Sequence, residues 1–527
     1  MENGSVRQNE SLNEARWFPR GCVASPHYLA SAAGQAVLAS GGNALDAAIA
    51  TNLALGVVTP YLCGYGGDLF ALVWDGAAHG YNGSGRAPGA ATPEAVSEAA
   101  GSDAMPVFGP LTVTVPGAIE GWFMLLERFG SRSFGDLAAA ALGLARDGFV
   151  VSHRAAESFA LAKERYGEFA EWQKVYGDVR SDELLRQPDL SRAITVLSDE
   201  GPDAFYRGAI AQEIVEHVRG LGGVLDAGDL EDHQGEWVDP LKSTYRDVEV
   251  LELPPNTQGA TALEALSIVE QAGGLPPDTA ERHHLLLEAM KLALADRDAY
   301  ITDPDHMTVP AETLISPEWA RDRFAAFDPD RAGHPSPART AAGGTAYMCA
   351  ADSSGMMVSL IQSNWRGFGS GVTVPGWGIN LHNRGSYFSL DPHHANVIAP
   401  RKRTMHTLIP GMALRNDRPH LVFGSMGGDG QAQTHLQLLT RIIDDGADVQ
   451  HAVDAPRWLV SPADWSVLAE SRFDSGTIEA LRQRGHQIGL AEPFDSNMGH
   501  AHAIQVAASG GYFGAADPRS EGAVAGV

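Results

Sequence analysis

At 527 residues, 44% of them apolar and 20% charged, the chain has a globular composition and room for roughly two to four average domains or one fused architecture. Its formal charge of −27 leaves no excess of Lys and Arg for nucleic acid or an anionic membrane surface, so a small-molecule or peptide partner is expected. Three scattered cysteines, Cys22, Cys63 and Cys349, exclude a disulfide framework or a zinc site.

In chain order, the segment Met1–Gly21 has no apolar core of the kind an export signal needs, and no run of about 18 apolar residues follows anywhere. A cytoplasmic location is expected. "ALDAAIATNLALGVV" (Ala44–Val58) reads as a buried helix, as does "LAAAALGLARDG" (Leu137–Gly148). "YRDVEVLELPPNTQG" (Tyr245–Gly259) reads as a strand broken by Pro-Pro, and Arg282–Tyr300 as a helix. From Phe327 to Gly344 the text turns to Pro, Gly and Ala and reads as an exposed, mobile connector. Then "TAYMCAAD", "SSG" and "MMVSLIQSNW" (Thr345–Trp365) read as strand, tight turn and strand. "HLVFGSMGGDG" reads as a strand entering a Gly turn, with the helix "AQTHLQLLTRIIDDG" after it. Strands and helices in this mixture suggest layered α/β packing, without tandem repeats.

The connector stops at Gly344, and Thr345 opens the strand. A threonine hydroxyl is a weak nucleophile unless a base stands beside it, and a free α-amino group on the same residue, with a pKa of about 7.7–8.0, is such a base. Thr345 gains that amine only if the chain is cut after Gly344. A glycine at that position lets a hydroxyl approach its carbonyl. The hydroxyl would attack, form an ester by N-to-O shift, and lose it to water. A Thr opening a strand is more often a packing residue, so this stretch needs its neighbours before it reads as catalytic. Thr340 is a rival with no strand directly after it.

With those neighbours, the chain resembles the γ-glutamyltranspeptidase family of N-terminal nucleophile hydrolases. The resemblance runs from about Gly21 to Ala523 and rests on ordered segments that include "GYGGDLFALVWDG", "LTVTVPGAIEGW", "PPNTQGATALEAL", "GFGSGV", "GSMGGDG", "DAPRW" and "GAADPRSEGA". It implies a four-layer αββα sandwich whose precursor cuts itself into a large subunit, 1–344, and a small subunit, 345–527, with Thr345 as nucleophile. The two would form a heterodimer, with a dimer of heterodimers left open, and no cofactor or metal is implied. Ser363 in "LIQSNW" matches a second hydroxyl that serves the nucleophile's amino group. Gly427 and Gly428 match the pair whose N–H groups form the oxyanion hole, an arrangement worth roughly 3–4 kcal/mol per donor elsewhere.

The glutamate-reading half departs from the family pattern. "NGSGRAP" puts Ser84 where glutathione-cleaving members have an Arg for the α-carboxylate, with Arg86 two residues further on. "HNRGSYF" puts Arg384 and Tyr387 where acidic and amide groups hold the α-amine; a cationic amine would meet a like charge there. His406 and Thr407 replace a Ser pair, Trp365 replaces an Asn, and the short Phe388–Lys402 segment leaves little chain for a lid. Arg384, Arg366 and Arg86 are candidates for a carboxylate clamp of another shape, and Trp365 for an apolar pocket wall. "NRGSYF" and "MHTLIP" resemble a side branch that includes oxamate amidohydrolase, which implies hydrolysis of a small, acid-bearing amide. A true glutathione hydrolase and transferase, an acylase for bulkier amides, and an uncut, inactive binding protein stay as alternatives. The pairs His283–His284, His393–His394 and His500/His502 lack Cys or carboxylate partners at a metal-ligand spacing.

Overall fold

In the computed structural model, which describes residues 14–336 and 343–527, the expected hairpin forms from antiparallel strands Gly344–Ala351 and Met357–Trp365. Asp352 tightens the turn by accepting hydrogen bonds from the Ser354 N–H at 2.8 Å and hydroxyl at 2.6 Å. Alternation along the first strand then decides the layering. Ala346, Met348 and Ala350 enter a core shared with helices, whereas Tyr347, Cys349 and Ala351 enter a second core shared with another sheet.

Two seven-stranded sheets result. The first runs Ala523–Gly526, Cys22–Ser25, Gly344–Ala351, Met357–Trp365, Asp68–Trp74, Ala78–Gly83 and Glu236–Val238. The second runs Arg16–Phe18, Tyr512–Ala516, Ala501–Val506, Arg418–Ser425, Gly411–Arg415, Val248–Glu252 and Leu241–Tyr245. Phe70 and Leu72 from the first sheet meet Leu251, Met412 and Val422 from the second between the layers. Helices Ala44–Val58 and Phe134–Asp147 share the core on the outer face of the first sheet, and Gly259–Glu270, Ala280–Tyr300 and Gly430–Ile443 share the core on that of the second. This is the αββα sandwich expected. Ala44–Val58 is buried on every side, as its mainly apolar text suggests, with Asp46, Thr51 and Asn52 buried among the apolar residues; Asn43 and Asp46 close a capping box at its start.

The connector departs from expectation. Residues 328–336 form no helix or strand, yet they are held: His284 Nε2 donates to Asp328 O at 2.8 Å, Lys291 Nζ to Gly333 O at 3.1 Å, and Trp465 Nε1 to Pro335 O at 2.7 Å. Pro/Gly text signals missing secondary structure, and partners distant in sequence supplied the anchors. Residues 337–342, with Thr340, lie outside the described residues. Among the described residues no helix is long and apolar enough to cross a membrane.

Candidate active site

Thr345 is fully buried near the start of its strand, at a break in the ladder. Gly344 pairs with Trp365 and Ala346 with Gln362, so Thr345 faces two residues, Ser363 and Asn364. Such a bulge re-aims side chains at the end of a strand. Here the Thr345 hydroxyl donates to Ser363 Oγ at 3.3 Å, and Ser363 Oγ donates to the Gly344 carbonyl oxygen at 2.5 Å. The Trp365 N–H donates to Ser363 Oγ at 2.7 Å and fixes it in place. Two hydroxyls and the carbonyl of the Gly344–Thr345 bond thus form one hydrogen-bonded chain. Trp365 ends the bulged strand at φ 77°, a conformation uncommon for a bulky residue and typical of functional sites. A Cβ on Gly343 would lie 2.7 Å from the Trp365 ring, and one on Gly344 would lie 2.8 Å from the Tyr61 carbonyl, so only glycines fit before Thr345.

Gly427 and Gly428 follow the strand Arg418–Ser425 at φ 132° and 58°, values that favour glycine. Among the described residues neither of their N–H groups has a partner. Gln258 Nε2 ties this turn to the pocket by donating to Gly428 O at 3.0 Å and Thr407 O at 2.9 Å. On the other side, Gly499 packs on Met426, and Arg457 Nη1 donates to Gly499 O at 2.9 Å while Nη2 pairs with Asp517 at 2.7 Å.

Arg384 is buried, and its guanidinium carbon lies 3.9 Å over the Trp365 ring. Nη1 donates to Thr407 Oγ1 at 3.3 Å, and Nη2 is buried without any partner. Burial pushes the guanidinium down to about 9, against the opposing charge of Asp68. Tyr387 packs edge-on against Trp365 at 5.4 Å, and its hydroxyl donates to Asp429, which pairs with Arg297 at 2.5 Å. His406 Nε2 donates to Asp68 Oδ2 at 3.0 Å. Burial and then the charge of Arg384 push this imidazole down to about 3, so it is neutral near pH 7. Burial alone would raise the Asp68 carboxyl, yet His382 and His406 hold it well below the usual carboxylate range. Arg384, Trp365, Tyr387, His406 and Thr407 therefore form one cluster, joined to Gly344 through Trp365.

The other two expected arginines lie elsewhere. Arg86 pairs with Glu236 at 3.0 Å and Asp303 at 3.4 Å and lines a separate small cavity with Arg401, so its positive charge is already matched. Arg366 lines a larger cavity of about 510 Å³ that also contains Gly343, Gly344 and Met426.

Asp68 was not anticipated. It is the register partner of Ser363 on the neighbouring strand, and that pairing is long-range, with no local signal beyond a lone acid in the apolar text "GYGGDLFALVW". His284, Glu288 and His486 also meet, with ligand atoms within 4.8 Å of one another, because His486 comes from far along the chain to a pair on one helix face. Lys291 donates to Glu288 at 2.8 Å and sits 3.4 Å from His486, so the cluster already holds a cation.

Comparison with known proteins gives the family. The gamma-glutamyltranspeptidase family profile matches residues 30–527. The glutathione hydrolase-like YwrD proenzyme of Bacillus subtilis is 37% identical over 96% of this chain and 98% of its own. The oxamate amidohydrolase proenzyme of Klebsiella pneumoniae is 38% identical over 96% and 98%. The crystal structure of cephalosporin acylase from Bacillus halodurans superimposes with a TM-score of 0.94 at 38% identity, covering 100% of this chain and 99% of that one. On sequence and fold alike, the chain belongs to the gamma-glutamyltranspeptidase family of N-terminal nucleophile hydrolases.

Proposed function

We propose that the protein is a self-cleaving threonine amidohydrolase acting on small amides whose acyl half carries a carboxylate. The observation that carries the reading is the chain from Thr345 Oγ1 through Ser363 Oγ to Gly344 O. Ser363 polarises the Gly344 carbonyl while accepting from the attacking hydroxyl. The Thr345 oxygen bonds to the Gly344 carbon, the C–N bond breaks, and the proton passes to the departing nitrogen. Water then hydrolyses the ester, leaving segments 1–344 and 345–527. The freed Thr345 amine takes the hydroxyl proton as Oγ1 attacks substrate, and returns it to the leaving amine. The Gly427 and Gly428 N–H groups receive the oxyanion.

Arg384 supports the acid-bearing acyl half. A buried guanidinium with an idle Nη2 over an aromatic ring suits a carboxylate. The acids near this cluster are engaged, Asp68 by two histidines and Asp429 by Arg297, so an α-ammonium would meet Arg384 unbalanced. Hydrolysis of glutaryl-4-nitroanilide and γ-glutamyl-4-nitroanilide, which differ only in that amine, tests the point. The desamino compound should show a kcat/KM about tenfold or more higher. Preference for the γ-glutamyl compound, stimulated by a dipeptide acceptor, would return the protein to the glutathione-cleaving class.

A further inference from the structure

The cavity of about 510 Å³ beside Gly344 is not lined by Arg384, so the acyl cluster leaves it free. One wall is a single face of helix His153–Tyr166, where Arg154, Ser158, Leu161 and Arg165 recur at helical spacing. Arg366, directly after the bulged strand, lines the cavity too. Tyr166 joins the two, since its hydroxyl donates to Arg366 O at 2.8 Å while its ring packs edge-on against Phe108 at 5.2 Å.

Arg154 is engaged, donating to the Arg519 carbonyl. Arg165 and Arg366 are not: among the described residues neither guanidinium makes an ion pair or a side-chain hydrogen bond. Burial and then the charge of Arg165 push Arg366 below its ordinary value, so the two cations feel each other. Among the described residues the one acid in the lining is Glu521, 4.0 Å from His27. In a chain with 65 acids against 38 Lys and Arg, two arginines that line one cavity without an ion pair among the described residues leave a local excess of positive charge, offset on Arg366 only by the charge of Asp429. An anion placed there relieves the repulsion and gains charge-assisted hydrogen bonds from both forks.

We infer that this cavity receives the amine half of the substrate, and that this half carries a carboxylate held between Arg165 and Arg366, with its apolar body against Phe108 and Leu161. The inference rests on Thr345 being the nucleophile, because Gly344, the residue directly before it, lines the cavity. Amides of amino acids or of aminobenzoate-like amines fit this description. A primary amide, which releases ammonia, would leave the cavity empty.

The test separates binding from turnover. Binding of 5-amino-2-nitrobenzoate and of 4-nitroaniline, two amines that differ by a carboxylate, is measured by calorimetry on the purified protein and on the double variant R165Q/R366Q. The carboxylated amine should bind about tenfold or more tighter, and the double variant should lose that difference. Arg154→Gln, at a residue already engaged by a carbonyl, should keep it. Equal binding of the two amines, or a preference that survives in the double variant, overturns the inference. Hydrolysis of glutaryl amides of the same two amines is followed alongside: its absence, with selective binding intact, would count against the nucleophile assignment and leave the anion site standing.

Discussion

Ser363 holds three hydrogen bonds at once, from Thr345 and the Trp365 N–H and to the Gly344 carbonyl. Ser363→Ala removes both the acceptor for the attacking hydroxyl and the donor to the carbonyl, while the side-chain volume scarcely changes. Self-cleavage should slow by roughly two to three orders of magnitude, the size of a lost oxyanion-type donor, as read from the rate at which the uncut band disappears. Cleavage at the native rate would make Ser363 a packing residue. At this scale the sequence was informative where chemistry is local. Gly344, Thr345 and Ser363, read from two neighbouring segments, meet in one hydrogen-bonded chain, and Gly427 and Gly428 adopt the positive φ expected of a Gly turn. Arg86 was misleading because sequence proximity to Ser84 says nothing about Glu236 and Asp303, which hold it from far along the chain.

At the scale of elements, the bulge between Gly344 and Trp365 is what turns a hairpin into a site. It sets Thr345 opposite Ser363 and Asn364, and Trp365 ends it at a positive φ, with its ring against Gly343 and under the Arg384 guanidinium. Gly343→Ala would put a methyl 2.7 Å from that ring, and a buried indole packed against Tyr387 and Arg384 cannot easily move. The variant should therefore cut itself several-fold more slowly, yet once cut should hydrolyse amides as the native protein does. Slow cutting together with slow turnover would mean that the change had damaged the Trp365 pocket itself. The hairpin, the helices Ala44–Val58, Phe134–Asp147, Ala280–Tyr300 and Gly430–Ile443, and two strands of the second sheet, Val248–Glu252 and Arg418–Ser425, were legible in the text of their own segments. The bulge was not, because register depends on pairing rather than on any single strand's text. The connector misled for a related reason: its anchors, His284, Lys291 and Trp465, lie on other elements.

Over the whole molecule, burial of neutral histidines ties stability to pH. His406, His486 and His502 are pushed to about 3 and His500 to about 4, mainly by burial. In the unfolded chain these rings take up protons near pH 6.5, so below that the unfolded state binds more protons and stability falls. Each ring contributes up to ~1.4 kcal/mol per pH unit over that window, and nothing above it. Asp68 and Asp517, held low beside His382 and His406 and beside Arg457 and Arg519, add a further loss only below about pH 4. The melting temperature should be level from pH 8 to 7 and decline steadily from about pH 6.5. A melting temperature flat down to about pH 4.5 would show that the histidines do not stay neutral in the folded state. His406 and Asp68 lie 338 residues apart, so that pair was invisible in the sequence, whereas Asp517 and Arg519 stand two residues apart in "GAADPRSEGA".

The central claim is that Thr345 cuts the chain before it and then serves as the nucleophile. Its most direct test is the intact mass of the purified protein, incubated at neutral pH beside Thr345→Ala. The account predicts two fragments meeting between Gly344 and Thr345 in the native protein and a single uncut chain in the variant. A native chain that stays whole, or a variant that is cut at the same bond, would contradict it.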